Sequence, residues 1–517
     1  MVADLGSARE ASEVELKLEF SPADAARLTT HPALEANLAA AEERDLVSTY
    51  FDTPDCALHN AGVYLRVRES GGRFLQTIKI AKTKTEMLER YEWERQVAAR
   101  APDLESAKGT ALEPLLTPKV RASLEPIFET RIRRRIHSLA RDGSEIEAAI
   151  DRGDISTRMQ SCPICELELE LKGGVRKELF RLARAIAADV PLRIEVKTKA
   201  ERGFELVAGR RHEAEKAASV HVPPEMPAGE AFRAIAFGCL RQIVANEPAV
   251  CAGHAEALHQ MRIGIRRLRA AIALFADVVS DGELEKVKTE LKWIMRELGP
   301  ARDLDVFAAG VLGPLREKHP EHTGLAETHD AFEKKRKETY ASVADAIRSA
   351  RFRSAILDLA EWIEVGASWE DDDEDSEALR TRQVAKHARK KLARLRKRTK
   401  RKGAELHQLS VAQRHRLRIT AKRLRYATEF FANSFPGDAS AKRRTESLSA
   451  LKDLQDELGA LNDLATHHAL IAERSDAATP EAVALHLAPA QSQTETLLRK
   501  AEQAFNRFAG TKAFWKG

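Results

Sequence analysis

Residues 13–19 read Glu13-Val14-Glu15-Leu16-Lys17-Leu18-Glu19, with a charged side chain at every odd position and an aliphatic one at every even position. A period of two puts the two sets on opposite faces of a strand. The pattern recurs in Tyr64-Leu65-Arg66-Val67-Arg68, Thr77-Ile78-Lys79-Ile80, Arg90-Tyr91-Glu92-Trp93-Glu94, Glu166 to Leu171 and Arg193 to Lys197. It predicts roughly eight strands between residue 13 and about 204, each with one apolar and one charged face. Short helical patches fall near 22–40 and 176–188. From about residue 228 the period changes to 3.6, and the Gly-, Pro- and polar-rich stretch 209–229 reads as a connection. The expected fold class is α+β and multidomain. An antiparallel β domain (1–210) and a linker (211–227) precede an all-α domain (228–517) with halves of about 228–369 and 378–512.

A chain of 517 residues is longer than one hydrophobic core usually serves. Aromatics are scarce at 5% and charged residues plentiful at 32%, which suits long solvated helices. The formal charge of +5 conceals segregation: residues 386–402 hold 11 Lys or Arg and no acid, just after the acidic run Glu370 to Glu377. That run reads as a solvated loop, or as a cover for the basic segment behind it. Five cysteines make no disulfide scaffold, and Cys162-Pro-Ile-Cys165 lacks the second pair of a zinc ribbon. The start has no apolar core of a secretory signal and no stretch reaches membrane-spanning length, so a cytoplasmic protein is expected.

The charged strand faces are sorted. Glu13-x-Glu15 and Glu166-x-Glu168-x-Glu170 are acidic; Arg66-x-Arg68, Arg131-x-Arg133-x-Arg135 and Lys197-x-Lys199 are basic. Closing the sheet would bring both sets into one lumen, with the apolar faces packed outward under helices. Carboxylates crowded there repel unless a cation lies between them, and hard oxygen ligands suit Mg²⁺ or Mn²⁺. The basic rows opposite would neutralise a polyanion. These residues point to a metal–polyphosphate site.

Glu13-Val-Glu15-Leu-Lys17 matches the E-x-E-x-K signature of CYTH domains, the triphosphate tunnel metalloenzymes. The resemblance continues through Tyr50 to Pro54, Gly62 to Arg68, Lys79, Cys165 to Glu170 and Lys199 to Gly203. It implies an eight-stranded antiparallel tunnel that hydrolyses or cyclises a triphosphate with Mg²⁺ or Mn²⁺. By resemblance, Glu13, Glu15, Glu166 and Glu168 hold metal, with Glu170 and Asp151 as further candidates. Arg66, Arg68, Lys79, Arg133 and Lys199 hold phosphate oxygens, as do Arg135 and Lys197 with less support from the motif. Lys17 contacts phosphate or orients the attacking water. Together Lys17, Glu13 and Glu15 are the expected catalytic group, and inorganic triphosphate the expected substrate; adenylate cyclisation and thiamine triphosphate hydrolysis are the alternatives within the class.

The second half repeats itself. His259-x-x-Arg262-x-x-x-Arg266-Arg267-x-Arg269 returns as His415-x-x-Arg418-x-x-x-Lys422-Arg423-x-Arg425, at an offset of 415 − 259 = 156. A second block, Leu291-Lys292 to Asp303-Leu304, returns at Leu451-Lys452 to Asp463-Leu464, where 451 − 291 = 160. At about 100° per residue, His259, Arg262, Arg266 and Arg269 form one helical stripe, and His415, Arg418, Lys422 and Arg425 another. Arg267 and Arg423 fall outside it and are expected to pair with acids such as Asp303 or Asp463. The stripes hold no nucleophile–base set but suit a repeating polyanion. Nucleic acid competes on those grounds. The paired blocks resemble the CHAD domain, a conserved-histidine α-helical domain. That resemblance implies two helical bundles around a basic groove for inorganic polyphosphate, contacted by the eight stripe residues. The two histidines either tune binding by gaining charge below about pH 6.5 or each make a plain structural hydrogen bond. The expected whole is a metal-dependent triphosphatase with a polyphosphate-binding partner domain. The competing readings are a non-catalytic polyphosphate-granule binder and a nucleic-acid-binding protein.

Overall fold

A computed structural model describes residues 13–35, 41–80, 89–90, 92–210, 212–366, 369, 374–473 and 490–516. The chain divides into two compact units, residues 1–215 with 348–366, and residues 216–347 with 367–517. The helix Ala350–Val365, which sequence periodicity alone leaves in the first helical half, therefore groups with the β unit.

The β unit contains β1 (Glu13–Glu19), β2 (Glu42–Asp52), β3 (Val63–Ser70), β4 (Arg73–Ile80), β5 (Glu89–Arg90), β6 (Glu92–Val97), β7 (Glu125–Arg141), β8 (Ser144–Ser156), β9 (Ser161–Gly173) and β10 (Arg193–Ile194). All pairings are antiparallel, in the order β10-β1-β9-β8-β7-β2-β3-β4-β6. The far edge returns to the near one: β6 pairs with β4 through Lys79↔Glu92, while β5, just before it, pairs with β1 through Glu13↔Arg90. With β5 and β6 taken as one interrupted strand, eight strands form a closed antiparallel tunnel. Closure joins the two ends of the ring and turns one side chain of every two inward.

The outward phase is apolar and covered. Leu16, Leu18, Leu167 and Leu169 are buried, as are Leu179, Phe180, Leu182, Ala183 and Ile186 of helix α1 (Lys177–Ala187). Arg184 of α1 pairs with Asp358 and Glu361, and Arg176 with Glu364 at 3.5 Å, which fastens the helix Ala350–Val365 to this unit. Phe51, Leu65, Val67 and Ile78 form a second outward cluster under Leu58, Leu112 and Leu116. One end of the inward phase is also apolar. There Tyr50, Tyr64, Phe128 and Ile132 pack on Ala200, Phe204 and Leu206 of helix α2 (Lys199–Val207).

The strand expected to run through Lys197 stops at Ile194. A capping box overrides the alternation: the Glu201 amide donates to the Thr198 hydroxyl at 3.1 Å, and the Thr198 amide donates to the Glu201 carboxylate at 2.8 Å. Helix α2 then lies close to β7, because Gly203 leaves room for the Phe128 ring; a Cβ there would meet it at 2.2 Å.

The second unit is helical: α3 (Ala228–Val244), α4 (Ala255–Leu274), α5 (Leu284–Glu297), α6 (Gly299–Phe307), α7 (Thr323–Arg348), α8 (Val384–Gly403), α9 (Val411–Phe430), α10 (Asp438–Glu473) and α11 (Ala490–Gly510), with shorter turns between. The duplication reaches the helix boundaries, since 411 − 255 = 156 and 430 − 274 = 156 for α9 against α4. Pro300 breaks the first copy into α5 and α6, whereas the second copy has Ala460 at the matching position and runs unbroken as α10. Of the acidic run, residues 370–373 lie outside the described residues, and Glu374 opens a short helix. No helix of the described residues is long and apolar enough to cross a membrane.

Candidate active site

Strand register assembles the tunnel site. Glu166 of β9 stands opposite Asp151 of β8 on one side and Glu19 of β1 on the other; Glu168 stands opposite Lys17, and Asp151 opposite Arg134 of β7. Asp151, Glu166 and Glu168 are buried, and one oxygen of each lies within 4.8 Å of the others. Four cations converge on them. Lys199 Nζ sits 2.9 Å from Asp151, 2.5 Å from Glu166 and 2.8 Å from Glu168. Arg134 reaches Asp151 at 2.7 Å and Glu168 at 2.5 Å, Arg202 reaches Glu166 at 2.5 Å, and Lys17 bonds Glu168 while standing 2.6 Å from Glu15.

Burial alone would raise these carboxyl pKa values. The cations win: Lys17, Lys199 and Arg134 hold Glu168 well below the usual carboxylate range, and Lys199 and Arg134 hold Asp151 below its own. Lys199 and Arg202 are partly buried, which lowers them, but Asp151, Glu166 and Glu168 raise Lys199 on balance, and Glu166, Glu195 and Glu19 raise Arg202. A group whose folded pKa is depressed contributes stability above its ordinary value, 4.5 for Glu168 and 3.8 for Asp151, and loses it as pH falls through the folded value. The unfolding midpoint of the β unit is therefore expected to hold between pH 7 and about 5 and to fall steeply below about pH 4. Thermal melts across that range check this; a midpoint that rises on acidification contradicts it.

A second basic group lines the same inward phase. Arg66 is buried on β3, 3.6 Å from Glu94, which accepts from the Thr77 hydroxyl at 2.9 Å. Arg68 donates to Ser48 at 3.3 Å; burial and the fields of Arg66 and Arg134 lower its pKa to about 10. A buried cation held down by its basic neighbours, as Arg68 is, is poised for an anion. Lys79, opposite Tyr64, shares this phase.

Not every expected residue joins the cluster. Arg133 and Arg135 face outward: Arg133 is 72% exposed and 3.5 Å from Asp45, and Arg135 is 3.5 Å from Glu43. Their neighbour Arg134 points in. The run Arg133-Arg134-Arg135 has a base on both faces, so alternation cannot choose the phase; the closed ring does, because Arg134 is the residue in register with Asp151. Lys197 is drawn away to Glu205 at 2.5 Å. Glu170, partly exposed, pairs with Lys172 at 2.6 Å outside the three-acid group. The side chain of Glu13 lies outside the described residues. Arg134 and Arg202 were not expected in the site. Arg202 is one helical turn beyond Lys199, a spacing that becomes readable once Thr198 is recognised as a cap.

The acids fit a divalent cation. Three carboxylates on adjacent strands offer converging hard oxygens, and an ammonium already occupies the point between them. The same donor set would take a divalent cation once Lys199 turned away from it.

In the helical unit the two stripes meet. Burial and the fields of Tyr426, Arg418, Arg302 and Arg425 act on Arg266, with a net lowering of its pKa. Arg262 is lowered to about 10, mainly by burial and Arg266, and donates to the Met295 carbonyl at 3.1 Å. His259 is lowered to about 4, by burial and then by Arg302, so it is neutral throughout the physiological range and does not gain charge near pH 6.5 in this state. His415 instead bonds Asn462 at 3.0 Å. Arg302 is a further cation of the group; its counterpart at 302 + 160 = 462 is Asn462, so a comparison seeking bases in both copies passes over it. Arg267 pairs with Glu429 at 2.6 Å rather than with Asp303, and stacks on Phe430. Arg423 has no ion pair among the described residues; the side chain of Asp463 is not among them. Arg269 is exposed and in the field of Arg423.

A closed antiparallel tunnel with carboxylates balanced by inward cations, followed by a duplicated basic helical unit, defines the class. Residues 11–204 match the family model of the CYTH domain and residues 234–472 that of the CHAD domain, so the chain carries a CYTH domain followed by a CHAD domain. A curated relative, the inorganic triphosphatase of Haemophilus influenzae, is 29% identical over 197 residues, which are 37% of this chain and 54% of that protein. The chain thus matches about half the length of that relative. The crystal structure of the CHAD domain from the plant Ricinus communis is 29% identical, covers 58% of this chain and 98% of that one, and has a TM-score of 0.50.

Proposed function

We propose that the tunnel hydrolyses inorganic triphosphate with Mg²⁺ or Mn²⁺, and that the helical domain binds inorganic polyphosphate. The observation that carries the first part is the group of Asp151, Glu166 and Glu168 around Lys199, with Arg66, Arg68, Arg134 and Arg202 on the same inward face. The homology of the tunnel to an inorganic triphosphatase supports it. Glu166, Glu168 and Asp151, with Glu15 and Glu13 from the strand beside them, would hold the ion. A bound divalent ion supplies Lewis-acid polarisation of a phosphoryl oxygen. The protein supplies the rest. Arg66, Arg68, Lys79 and Arg134 bind and orient the phosphate oxygens and neutralise charge as the bridging bond breaks. Lys199 and Arg202, which neutralise these acids here, would hold phosphate oxygens in the loaded site. Lys17, held between Glu15 and Glu168, orients the attacking water or the terminal phosphate.

The described aromatics at the tunnel end are packed on one another, with Tyr50 stacked on Phe128 at 4.4 Å and Phe204 on His59 at 4.2 Å, which leaves no ring there for a base or a thiazole. Inorganic triphosphate is accordingly expected to have a higher kcat/KM than ATP or thiamine triphosphate under the same metal. Parallel phosphate-release assays with a cyclic-nucleotide readout test this; preferred cyclisation of ATP refutes it.

For the helical domain, support comes from the converging cations Arg262, Arg266, Arg302, Arg418 and Arg425, and from the absence of aromatic residues among the exposed large hydrophobic side chains described. A polyanion without bases suits such a surface.

A further inference from the structure

The basic run 386–402 is only partly spent on folding. Arg389 donates to the Trp515 carbonyl at 3.3 Å, Lys391 pairs with Asp277 at 2.8 Å, and Arg396 bonds the Thr511 hydroxyl at 3.0 Å. The last turn of α8 is different. Lys402 lies in the fields of Arg398 and Arg401 of α8 and of Arg416 and Arg423 of α9, and none of the five has an ion pair among the described residues. Lys402 Nζ donates to Thr420 at 3.2 Å, and Thr420 donates to the Arg416 carbonyl at 2.8 Å, which locks the end of α8 against the middle of α9. Burial, then Arg398, Arg416, Arg423 and Arg401, lower Lys402; burial, then Arg398 and Arg269, lower Arg423. This is not the polyphosphate stripe. Seven residues separate Arg416 from Arg423 and Arg418 from Arg425, so each pair is aligned along the helix, and at about 100° per residue the pairs lie roughly 160° apart around α9.

The duplication explains why these charges stand uncompensated. Arg267 and Arg423 occupy equivalent positions. Arg267 is buried and neutralised by Glu429. The residue that would do the same for Arg423 is 429 − 156 = 273, and it is the exposed Ala273. One copy keeps an internal ion pair where the other presents an exposed arginine with no ion pair among the described residues.

We propose that Arg398, Arg401, Lys402, Arg416 and Arg423 form a second polyanion-binding face on α8 and α9, turned away from the α9 stripe and adjoining the α4 stripe where Arg269 lies in the field of Arg423, that takes the phosphates of long-chain inorganic polyphosphate. It rests on the reading of polyphosphate as the anion of this domain. Such a face favours length: a chain long enough to extend beyond the stripe group engages both sets of cations at once. Polyphosphate is favoured over nucleic acid because no aromatic is among the exposed large hydrophobics of the described residues.

Two full-chain variants test the face. Arg398→Gln/Arg416→Gln/Arg423→Gln removes three cations. Ala273→Glu, at an exposed position, copies the Arg267–Glu429 pair and neutralises Arg423 without touching a basic residue. Binding of long-chain polyphosphate is measured by titration at several salt concentrations, with triphosphate hydrolysis as the control. The triple variant is expected to weaken long-chain binding about tenfold or more at low salt, and to reduce the slope of log affinity against log salt by about 2 to 3; Ala273→Glu reduces it by about 1. Hydrolysis stays at the wild-type rate in both. Wild-type affinity and slope in both variants overturn the face. Equal displacement by single-stranded RNA at matched phosphate overturns its assignment to polyphosphate. Wild-type affinity in Arg266→Gln/Arg418→Gln, with loss in the face variants, refutes the stripe reading and leaves the face standing. No binding of polyphosphate by the wild type refutes both.

Discussion

Glu168→Gln lowers metal-dependent phosphate release from inorganic triphosphate by roughly a hundred- to a thousandfold. Glu168 is in register with Lys17, and it also contacts Arg134 and Lys199. Glutamine keeps the shape but removes the charge that offers an oxygen to the ion and balances three cations. Breaking a buried ion pair from one side costs about 3–5 kcal/mol, so the variant also melts lower. Initial rates at saturating metal, measured well below the variant's midpoint and with circular dichroism as the folding control, separate the two effects. A folded Glu168→Gln protein within a few fold of wild type would remove Glu168 from the chemistry.

Arg266→Gln/Arg418→Gln weakens binding of long-chain polyphosphate by about tenfold to a hundredfold at 50 mM salt, and lowers the salt slope by about 2. Arg266 lies in the fields of Arg418, Arg302 and Arg425, so two substitutions thin the group where the two copies meet. The change should improve the fold, since mutual repulsion is relieved and neither residue has an ion pair among those described. A rise in melting temperature alongside lost affinity is the expected signature. A fall in both would indicate that these arginines hold the bundle together.

Much of this was legible before the structure. The period of two carries the tunnel because a closed ring needs one apolar and one charged face on every strand, and Glu13 to Glu19 states that rule in seven residues. The offset of 156 carries the duplication down to helix ends. What was illegible has common causes. At Arg133-Arg134-Arg135 both phases are basic, and only pairing with Asp151 decides between them. At Lys197 and Lys199 alternation suggested a strand, whereas the Thr198–Glu201 capping box, equally present in the sequence, starts a helix and sends the two lysines to different partners. The helix Ala350–Val365 shows no local sign that its partners, Arg176 and Arg184, lie some 170 residues earlier. Arg302 was hidden by the duplication itself, because the second copy replaced it with asparagine.

The most direct measurement is phosphate release from inorganic triphosphate as Mg²⁺ or Mn²⁺ is titrated into metal-free protein. The account predicts a rate that rises with either ion from a negligible baseline, saturates, and returns to baseline on chelation. Release that is absent at every ion concentration, or that proceeds unchanged under chelator, contradicts it.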